Sequence, residues 1–399
     1  MRAVVFHGVG DLRLEDVDEP SLLEPTDAIV RITRSAICGT DLHFVRGTFP
    51  GMRPGTVLGH EAVGVVEEVG KGVRNLREGD RVVVPSTIAC GNCTPCKGGL
   101  FSQCDVANPN GADAGTAFFG GPEASGAFPG LQAERQRIPF ASFGLVRLPD
   151  EVTDDQAILL SDIFPTGWFG AALADVRPGQ SVAVFGCGPV GQFAIASALL
   201  RGAARVIAID SRYDRLDHAR AQGAECVDFD VEDPVAAVKE ITAGRGVDAV
   251  IEAVGVDANA PAAAGADERE QGRQELRQVA PRTRPRNGNW HPGDAPSQAL
   301  TWAVEVAAKA GTVAVVGVYP PEARAFPIGK AMNKNLSVKT GNCHHRKYIP
   351  LLLERVRTGA IDPEAVLTQD QPLEAALDAY REFDRREPGW LKVEIAPVQ

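Results

Sequence analysis

The sequence predicts an α/β protein with two domains: an antiparallel, barrel-like β-domain followed by a domain built on a doubly wound parallel sheet. The chain has 399 residues, more than the roughly 250 to 300 that one hydrophobic core usually organises. Its first part consists of short Val-rich segments separated by Gly, Pro and Asp, a pattern typical of antiparallel strands. After residue 153, strand-like and helix-like segments alternate, which indicates βαβ units and a parallel sheet.

Composition narrows the classes of function. Hydrophobic residues make up 44% and charged residues 23% of the chain, as in ordinary globular proteins. The 41 Lys and Arg residues against 52 Asp and Glu residues give a net charge of −11, which disfavours a nucleic-acid partner. The N-terminus lacks the features of a signal peptide, and apolar runs such as 194–200 are shorter than the ~18 to 20 residues of a membrane span. We therefore expect a cytoplasmic protein that binds no membrane.

Hydrophobic patterning predicts the elements of both parts. Strands are expected at 28–33, 62–69, 81–84, 181–185, 205–210, 249–252, 312–316, 336–340 and 391–395, and helices at 154–174, after Gly191, and at 212–222, 348–357 and 373–383. Between residues 257 and 298 the pattern breaks down, because large apolar side chains are few there. This stretch is predicted to be an insertion without a core of its own, either a mobile surface excursion or a functional lid.

A glycine pattern marks a nucleotide site. Gly186, Gly188 and Gly191 stand in G-x-G-x-x-G register, with Pro189 and Val190 between them, after a predicted strand and at the start of a predicted helix. This context fits a tight turn, a bare backbone beside a pyrophosphate and a helix N-terminus that stabilises the phosphates. The alternative is a glycine turn without a ligand.

An acidic residue follows at the interval that this motif requires. Asp210 ends the next predicted strand, 19 residues after Gly191. A carboxylate there accepts hydrogen bonds from the adenosine ribose and repels a 2′-phosphate, which favours NAD over NADP. Arg212 and Arg215 could soften that repulsion, and an Asp that only caps a helix is the alternative.

Four cysteines form a compact metal-binding pattern, C-x2-C-x2-C-x7-C, within 15 residues. Four thiolates at this spacing complete a closed tetrahedral zinc shell, which leaves no position for a substrate and indicates a structural role. Unrelated thiols or disulfides are the alternative. The four residues are Cys90, Cys93, Cys96 and Cys104.

A second set of metal ligands is less evident, because its members are far apart in the chain. Cys38, His60 and Asp162 offer one thiolate, one imidazole and one carboxylate, which together can hold zinc with a fourth position open. Spacing alone leaves open the alternative of a buried Cys with an ordinary polar His and Asp.

At these residues the sequence resembles the zinc-dependent medium-chain alcohol dehydrogenase family. Cys38-Gly-Thr-Asp, Gly59-His-Glu-Ala-Val-Gly-Val-Val, the four cysteines, the glycine turn and Asp210 occur in that family's order. The segment 160–167, Leu-Ser-Asp-Ile-Phe-Pro-Thr-Gly, is similar to the branch that contains glutathione-independent formaldehyde dehydrogenases. That branch uses an Asp where liver-type alcohol dehydrogenases use a second Cys ligand, and it carries a long insertion in the nucleotide domain.

The resemblance implies a fold and an organisation of the chain. Residues 1–152 would form a GroES-like catalytic domain with the structural zinc lobe, and residues 153–318 a Rossmann NAD-binding domain with the insertion at 257–298. Residues 319–399 would return to the catalytic domain. Two zinc ions and NAD are the implied cofactors, and a homodimer or homotetramer is the implied assembly.

The resemblance also implies roles for single residues. Cys38, His60 and Asp162 would bind the catalytic zinc, with Glu61 as an acidic neighbour able to approach the metal transiently. Thr40 matches the position that contacts the substrate hydroxyl. The remaining matches are His43, which would pass a proton outward, and Arg346, which would bind the cofactor pyrophosphate. The unusual pair His344 and His345 is predicted to lie on the surface, and the alternative is that the pair lines the cofactor or substrate cleft.

These features predict an oxidoreductase that transfers a hydride between an alcohol or carbonyl compound and NAD. Two alternatives stay open from the sequence. One is formaldehyde dehydrogenase or dismutase activity with tightly held NAD, which would use the insertion to retain the cofactor. The other is a dinucleotide-binding sensor that has kept the fold and lost catalysis.

Overall fold

The computed structural model describes residues 1–397. The strands are β1 Arg2–Gly8, β2 Asp11–Asp16, β3 Ala28–Ile37, β4 Thr56–Val57, β5 Ala62–Val69, β6 Arg81–Val84, β7 Arg135–Ile138, β8 Val146–Arg147, β9 Ser181–Phe185, β10 Arg205–Asp210, β11 Glu225–Asp228, β12 Val247–Glu252, β13 Ala307–Val315, β14 Ser337–Thr340, β15 Gln369–Pro372 and β16 Val393–Ala396.

The α-helices are α1 Gly39–Arg46, α2 Thr94–Lys97, α3 Ala141–Gly144, α4 Asp154–Ile158, α5 Ile163–Leu173, α6 Pro189–Leu200, α7 Tyr213–Ala221, α8 Pro234–Ile241, α9 Ala266–Val279, α10 Gln298–Val306, α11 Ile328–Asn333, α12 His345–Arg357 and α13 Ala376–Arg385. Short 3₁₀ turns occupy Phe101–Gln103, Glu123–Ser125, Gly255–Asp257, Pro363–Val366 and Leu373–Ala375. Within the described residues, no helix combines the length and the apolar character needed to cross a membrane.

A seven-stranded sheet forms the body of the first domain, in the order β15-β16-β3-β5-β6-β8, with β7 also paired to β3. A smaller sheet of three strands, β2-β1-β4, lies beside it. The core of the seven-stranded sheet encloses Ile32, Val66 and Val82, as expected for β-branched side chains on one face of a pleated sheet. Because β16 pairs antiparallel with β3, both ends of the chain contribute to this domain.

A six-stranded parallel sheet forms the second domain, in the order β11-β10-β9-β12-β13-β14. Alternate residues of β9 face opposite layers of helices. Val182 and Val184 pack with α6 residues such as Ala194, whereas Ala183 and Phe185 pack with residues of α8 and α10. The chain therefore winds out from β9 in both directions, which confirms the doubly wound parallel sheet.

The predicted helix 154–174 is interrupted in the structure, and the interruption lies at Asp162, one of the candidate zinc ligands. Asp162 has φ −141°, outside the helical range, and separates α4 from α5. Ser161 beside it accepts a hydrogen bond from the Ala62 backbone N–H and donates one to the Val84 carbonyl. These bonds fasten the break to strands β5 and β6, a tertiary constraint that helical periodicity cannot reveal.

Segment 257–298, predicted to be an insertion without a core of its own, packs against the rest of the chain instead of projecting from it. It contains helix α9, and Trp290 is 6% exposed within the apolar cluster of the first domain. Asn289 and Trp290 both donate to the Asp384 carboxylate on α13. The insertion therefore extends from the parallel sheet to the first domain and is fixed there by buried hydrogen bonds.

Candidate active site and metal centres

Four side chains converge between the two domains. One ligand atom from each of Cys38, His60, Glu61 and Asp162 lies within 4.8 Å of the others. Asp162 Oδ2 is 3.1 Å from His60 Nε2 and 3.9 Å from Cys38 Sγ. His60 Nε2 is buried, and although Asp162 Oδ2 lies close to it, the described residues form no hydrogen bond of regular geometry with it, as expected of a nitrogen that binds a metal. This donor set fits zinc.

Strand pairing explains how distant residues meet. Cys38 follows β3 and is the N-cap of α1, while His60 and Glu61 immediately precede β5. Ser35 of β3 pairs with Ala62 of β5, so the two strand ends lie side by side. The Ala62 N–H in turn binds Ser161, which brings its neighbour Asp162 to the same point.

Burial and neighbouring charges act in opposite directions on these groups. Burial alone would raise the pKa of Asp162, but His345 and His60 hold it well below its usual range. Burial would lower the pKa of His60, and the carboxylate of Asp41, whose Oδ1 is 3.2 Å from His60 Nδ1, instead raises it. Burial raises the pKa of the Cys38 thiol. A cation at this point would favour the thiolate and the neutral imidazole.

Glu61 does not stand free beside this cluster, because it is paired with a lysine that the sequence did not single out. Lys392 Nζ donates to Glu61 Oε2 at 2.5 Å and to the Ile37 carbonyl at 3.1 Å, and both side chains are fully buried. Burial would lower the pKa of Lys392, but the Glu61 carboxylate raises it above its ordinary value. The Lys392 ammonium thus neutralises the charge of the Glu61 carboxylate next to Cys38, His60 and Asp162.

Thr40 and His43 both lie on α1, and both line the cleft. His43 Nδ1 is 2.8 Å from Thr48 Oγ1 and 3.3 Å from Asp257 Oδ2. Burial lowers the pKa of His43 although Asp257 opposes that effect. Among the described contacts, no hydrogen bond joins Thr40 directly to His43, so a proton passing between them needs an intermediate group.

The prediction that His344 and His345 form a surface pair was wrong, since both are buried. His345 Nε2 lies 2.7 Å from Asp162 Oδ1, and its Nδ1 lies 3.1 Å from Thr87 Oγ1. His344 Nδ1 lies 2.8 Å from the Ser102 hydroxyl, in the turn that precedes Cys104. Adjacent residues of one segment therefore reach Asp162 of the first cluster and the turn beside Cys104 of the second.

The four cysteines of the lobe form the second cluster, with ligand atoms within 4.8 Å of one another. Backbone N–H groups of the lobe donate to the sulfurs, from Cys90 and Ala107 to Cys104 and from Asn92 and Cys93 to Cys90. Burial would raise the pKa of Cys93, but backbone hydrogen bonds lower it to about 7. Four sulfur donors with N–H support fit a closed zinc site.

The glycine turn has the geometry that the motif requires. Gly186 has φ +85°, a conformation that side chains disfavour, and a Cβ on Gly191 would lie 1.8 Å from the Gly186 carbonyl oxygen. Gly188 is the N-cap of α6, whose first residue is Pro189. Together with Val190, Gly186, Gly188 and Pro189 line the cleft, while Gly191 serves packing.

Asp210 lies at the carboxyl end of β10 and also lines the cleft. Its carboxylate accepts hydrogen bonds from the backbone N–H groups of Cys187, Ser211 and Arg212, at 2.7 to 3.0 Å. These bonds orient the side chain at the point where the strand order diverges, the position at which dinucleotides bind in such sheets.

The prediction for Arg346 is contradicted by its position. Its Nε donates to the Phe143 carbonyl at 2.6 Å, its guanidinium stacks on the Phe143 ring, and it is not among the residues that line the cleft. The first turn of α12 directs it toward the lobe. Arg215 lies closer to the glycine turn, with Nη1 3.6 Å from the position of a Cβ on Gly188.

The cleft has a volume of about 1170 Å³ and passes from the glycine turn to the Cys38 cluster. Three phenylalanines line its metal end: Phe44, Phe49 and Phe118. The Phe118 ring is stacked on the Phe44 ring, with 6.3 Å between their centroids, and it is nearly perpendicular to the His60 ring, also with 6.3 Å between the centroids. Insertion residues, including Asn259, His291 and Pro292, line another part.

Comparisons with known proteins support the family resemblance. Residues 24–150 match the model of the alcohol dehydrogenase GroES-like domain, and residues 189–266 match that of zinc-binding dehydrogenases. A zinc-type alcohol dehydrogenase-like protein of Bacillus subtilis is 39% identical, with 100% of both chains covered. A glutathione-independent formaldehyde dehydrogenase of Pseudomonas aeruginosa is 35% identical over 97% of this chain and 96% of its own. The structure of an alcohol dehydrogenase from Thermus sp. ATN1 is similar with TM-score 0.80 and 35% identity, covering 99% of each chain.

Proposed function

The chain belongs to the zinc-dependent alcohol dehydrogenase family, and we propose that its catalytic zinc is bound by Cys38, His60 and Asp162. The observation that supports this proposal is the convergence of these side chains, from three separate segments, to within 4.8 Å of one another at the buried Nε2 of His60. The lobe cysteines would bind the structural zinc. The reaction is hydride transfer between an alcohol or carbonyl compound and NAD, which accepts the hydride when bound.

The protein supplies geometry and proton handling to this reaction. Zinc, when bound, lowers the pKa of a substrate hydroxyl and polarises a carbonyl. Thr40, at the start of α1, would accept the hydroxyl proton while releasing its own. His43, held by Thr48 and Asp257, would receive that proton through an intermediate group such as a cofactor ribose hydroxyl or water, and pass it outward.

The cofactor would occupy the cleft from Asp210 to the metal cluster. Gly186, Gly188, Pro189 and Val190 would face its pyrophosphate, aided by the N-terminus of α6. Asp210 would bind the adenosine ribose, which favours NAD over NADP.

The substrate class that the cleft favours is an apolar, in particular an aromatic, primary alcohol or its aldehyde. Phe118 contacts the edge of the ligand His60, and Phe44 and Phe49 extend this wall. Burial of one ring of this size contributes about 1.5 to 3 kcal/mol, so kcat/KM for benzyl alcohol should exceed that for ethanol by about 10-fold or more.

The test compares both alcohols in the wild type, in Phe118→Ala and in a matched control, Phe128→Ala, which changes an aromatic residue of the same loop that does not line the cleft. Phe118→Ala should reduce the preference for benzyl alcohol, and Phe128→Ala should leave it unchanged. Equal kcat/KM values for the two alcohols in the wild type would refute the proposed substrate class.

Formaldehyde dehydrogenase or dismutase activity is the second candidate. It is favoured by the 35% identity to a formaldehyde dehydrogenase and by the insertion residues that line the cleft. If the insertion retains the cofactor, the purified protein will release close to one NAD per chain on acid treatment. Without added NAD it will convert two formaldehyde molecules and water to formate and methanol, the second formaldehyde taking the hydride back from the bound NADH. Protein free of nucleotide would dismiss this candidate.

A homodimer or homotetramer is also proposed. Strand β14 is the edge of the parallel sheet, and its residues 337–340 are exposed, so its outer backbone groups are available for another chain. Light scattering should give a multiple of the monomer mass, and a monomer at assay concentration would contradict the proposal.

A further inference from the structure

The carboxylate of Asp162 is divided between two environments. Oδ2 faces the cluster, 3.1 Å from His60 Nε2 and 3.9 Å from Cys38 Sγ. Oδ1 faces away from it and receives hydrogen bonds from Thr166 Oγ1 and His345 Nε2, each at 2.7 Å. A carboxylate with one oxygen so engaged has a single oxygen left to offer to a metal.

Hydrogen bonding orients the imidazole of His345. Its ring is buried, and Thr87 Oγ1 lies 3.1 Å from Nδ1. A hydroxyl that donates to Nδ1 leaves the ring hydrogen on Nε2, where it is directed at Asp162 Oδ1. The backbone fixes this arrangement, because His345 is the first residue of α12, which packs against α5 directly after Asp162.

From this geometry we propose that His345 is a positioning residue that holds Asp162 as a one-oxygen ligand, thereby keeping the fourth coordination position open for the substrate. This inference rests on the proposed assignment of Asp162 as a zinc ligand. Zinc in catalytic sites has three protein ligands and one open position. If Oδ1 were released, the carboxylate could turn its second oxygen toward the metal and occupy that position. Partners of this kind commonly change metal affinity or activity by 10- to 100-fold.

The experiment measures zinc affinity of the full-length enzyme by chelator competition, which does not depend on activity. We expect His345→Ala to raise the dissociation constant of one zinc, the one that Asp162→Ala also loses, by about 10- to 100-fold. His345→Gln should recover most of the affinity, because the glutamine amide N–H can reach the place of Nε2–H. His344→Ala is the matched control for the zinc of the Cys38 cluster and should leave its affinity unchanged, since it changes the neighbouring buried histidine that contacts Ser102 beside the lobe rather than Asp162.

A second readout separates positioning from packing. In His345→Ala, kcat should fall more than KM rises, and His345→Gln should restore kcat. The conservative variant Thr87→Val, which removes the partner of Nδ1 with little change in volume, should shift zinc affinity in the same direction by a smaller factor. Thr87→Val also keeps the test available if His345→Ala fails to fold.

Two results would overturn the inference. One is an unchanged zinc affinity, within about twofold, in His345→Ala or, should that variant not fold, in Thr87→Val. The other is a glutamine variant as defective as the alanine variant. The same measurement on Asp162→Ala separates this failure from that of the proposed function: zinc loss there with none in His345→Ala would refute only the role of His345, whereas full zinc retention in Asp162→Ala would refute the ligand assignment itself.

Discussion

The four-cysteine lobe and the Cys38 cluster place metal-binding groups equally close together but do so by different means. The lobe draws its sulfurs from 15 consecutive residues, and the N–H groups that support them belong to the same loop. The Cys38 cluster joins three segments, and its supporting groups come from farther away, Lys392 lying 331 residues from Glu61 and His345 183 residues from Asp162. The lobe, which lies in one loop, can therefore fold around its metal by itself. The Cys38 cluster forms only when the distant segments of the chain have folded together.

Because of this difference, the loss of a ligand should affect stability in one cluster and activity in the other. Loss of a lobe sulfur removes metal that organises a loop, so the free energy of unfolding should fall. Loss of a ligand in the Cys38 cluster removes metal from a site whose walls are held by strands and helices, so activity should fall more than stability.

The largest effect is expected from Asp162→Ala. Metal-assisted charge stabilisation contributes several kcal/mol to the transition state, so kcat/KM should fall by about 10³-fold or more. Steady-state assays with benzyl alcohol and NAD measure this loss. Asp155→Ala, which removes a partly exposed carboxylate of α4 that pairs with Arg34, is the control and should retain activity. Normal turnover in Asp162→Ala would contradict the catalytic role of the Cys38 cluster, which distinguishes it from the lobe.

Cys93→Ala is the counterpart in the lobe. We expect it to lower the melting temperature by about 5 to 10 °C, because structural zinc contributes directly to folding. Cys226→Ala, a half-buried cysteine outside both clusters, should change it little. A stable Cys93→Ala protein that has lost its lobe zinc would show that the lobe does not depend on metal.

His344, which contacts the turn beside the lobe, should make the free energy of unfolding depend on pH. Burial, then Lys347 and His345, lower its pKa to about 4, against about 6.5 in an unfolded chain. Between these values the unfolded chain binds a proton that the folded chain does not, so the free energy of unfolding falls as pH decreases from about 6.5 to about 4.

His344→Asn should reduce that slope while keeping an acceptor for Ser102. Urea unfolding across this range measures it, and His218→Asn on α7 is the control. An unchanged slope in His344→Asn would show that His344 titrates normally.

Asp210→Ala should have the smallest effect on the metal centres, because it lies outside both. A charged hydrogen bond is worth about 1.5 to 3 kcal/mol, so KM for NAD should rise about 10-fold or more while that for NADP changes less. Both zinc ions should remain. Unchanged KM values for both cofactors would argue against contact between Asp210 and the ribose.

The same contrast explains how much could be predicted from the sequence. The lobe and the glycine turn were predictable because their chemistry depends on spacing within a short segment. The chemistry of Asp162 made it a candidate ligand, but only the family resemblance assigned it that role, since nothing in its local pattern brings it to His60. His345 and Lys392 were missed because their partners lie far away in sequence, and a pair of adjacent histidines before a helix resembles a solvated helix start.

The errors have the same origin. Arg346 was assigned to the pyrophosphate by motif position, but the first turn of α12 directs it to Phe143. The insertion, with few apolar residues, was predicted to have no core of its own and to be a surface excursion or a lid, whereas its Trp290 packs into the core of the other domain. Patterns within a segment report what it can bury by itself and not what another domain offers it.

Metal content per chain tests the central claim most directly. Elemental analysis should give two zinc ions for the wild type and one each for Asp162→Ala and Cys93→Ala, with activity lost chiefly in the former and thermal stability chiefly in the latter. Two zinc ions retained in Asp162→Ala, or a wild-type protein with zinc in the lobe alone, would contradict the assignment of Cys38, His60 and Asp162 as the catalytic metal site.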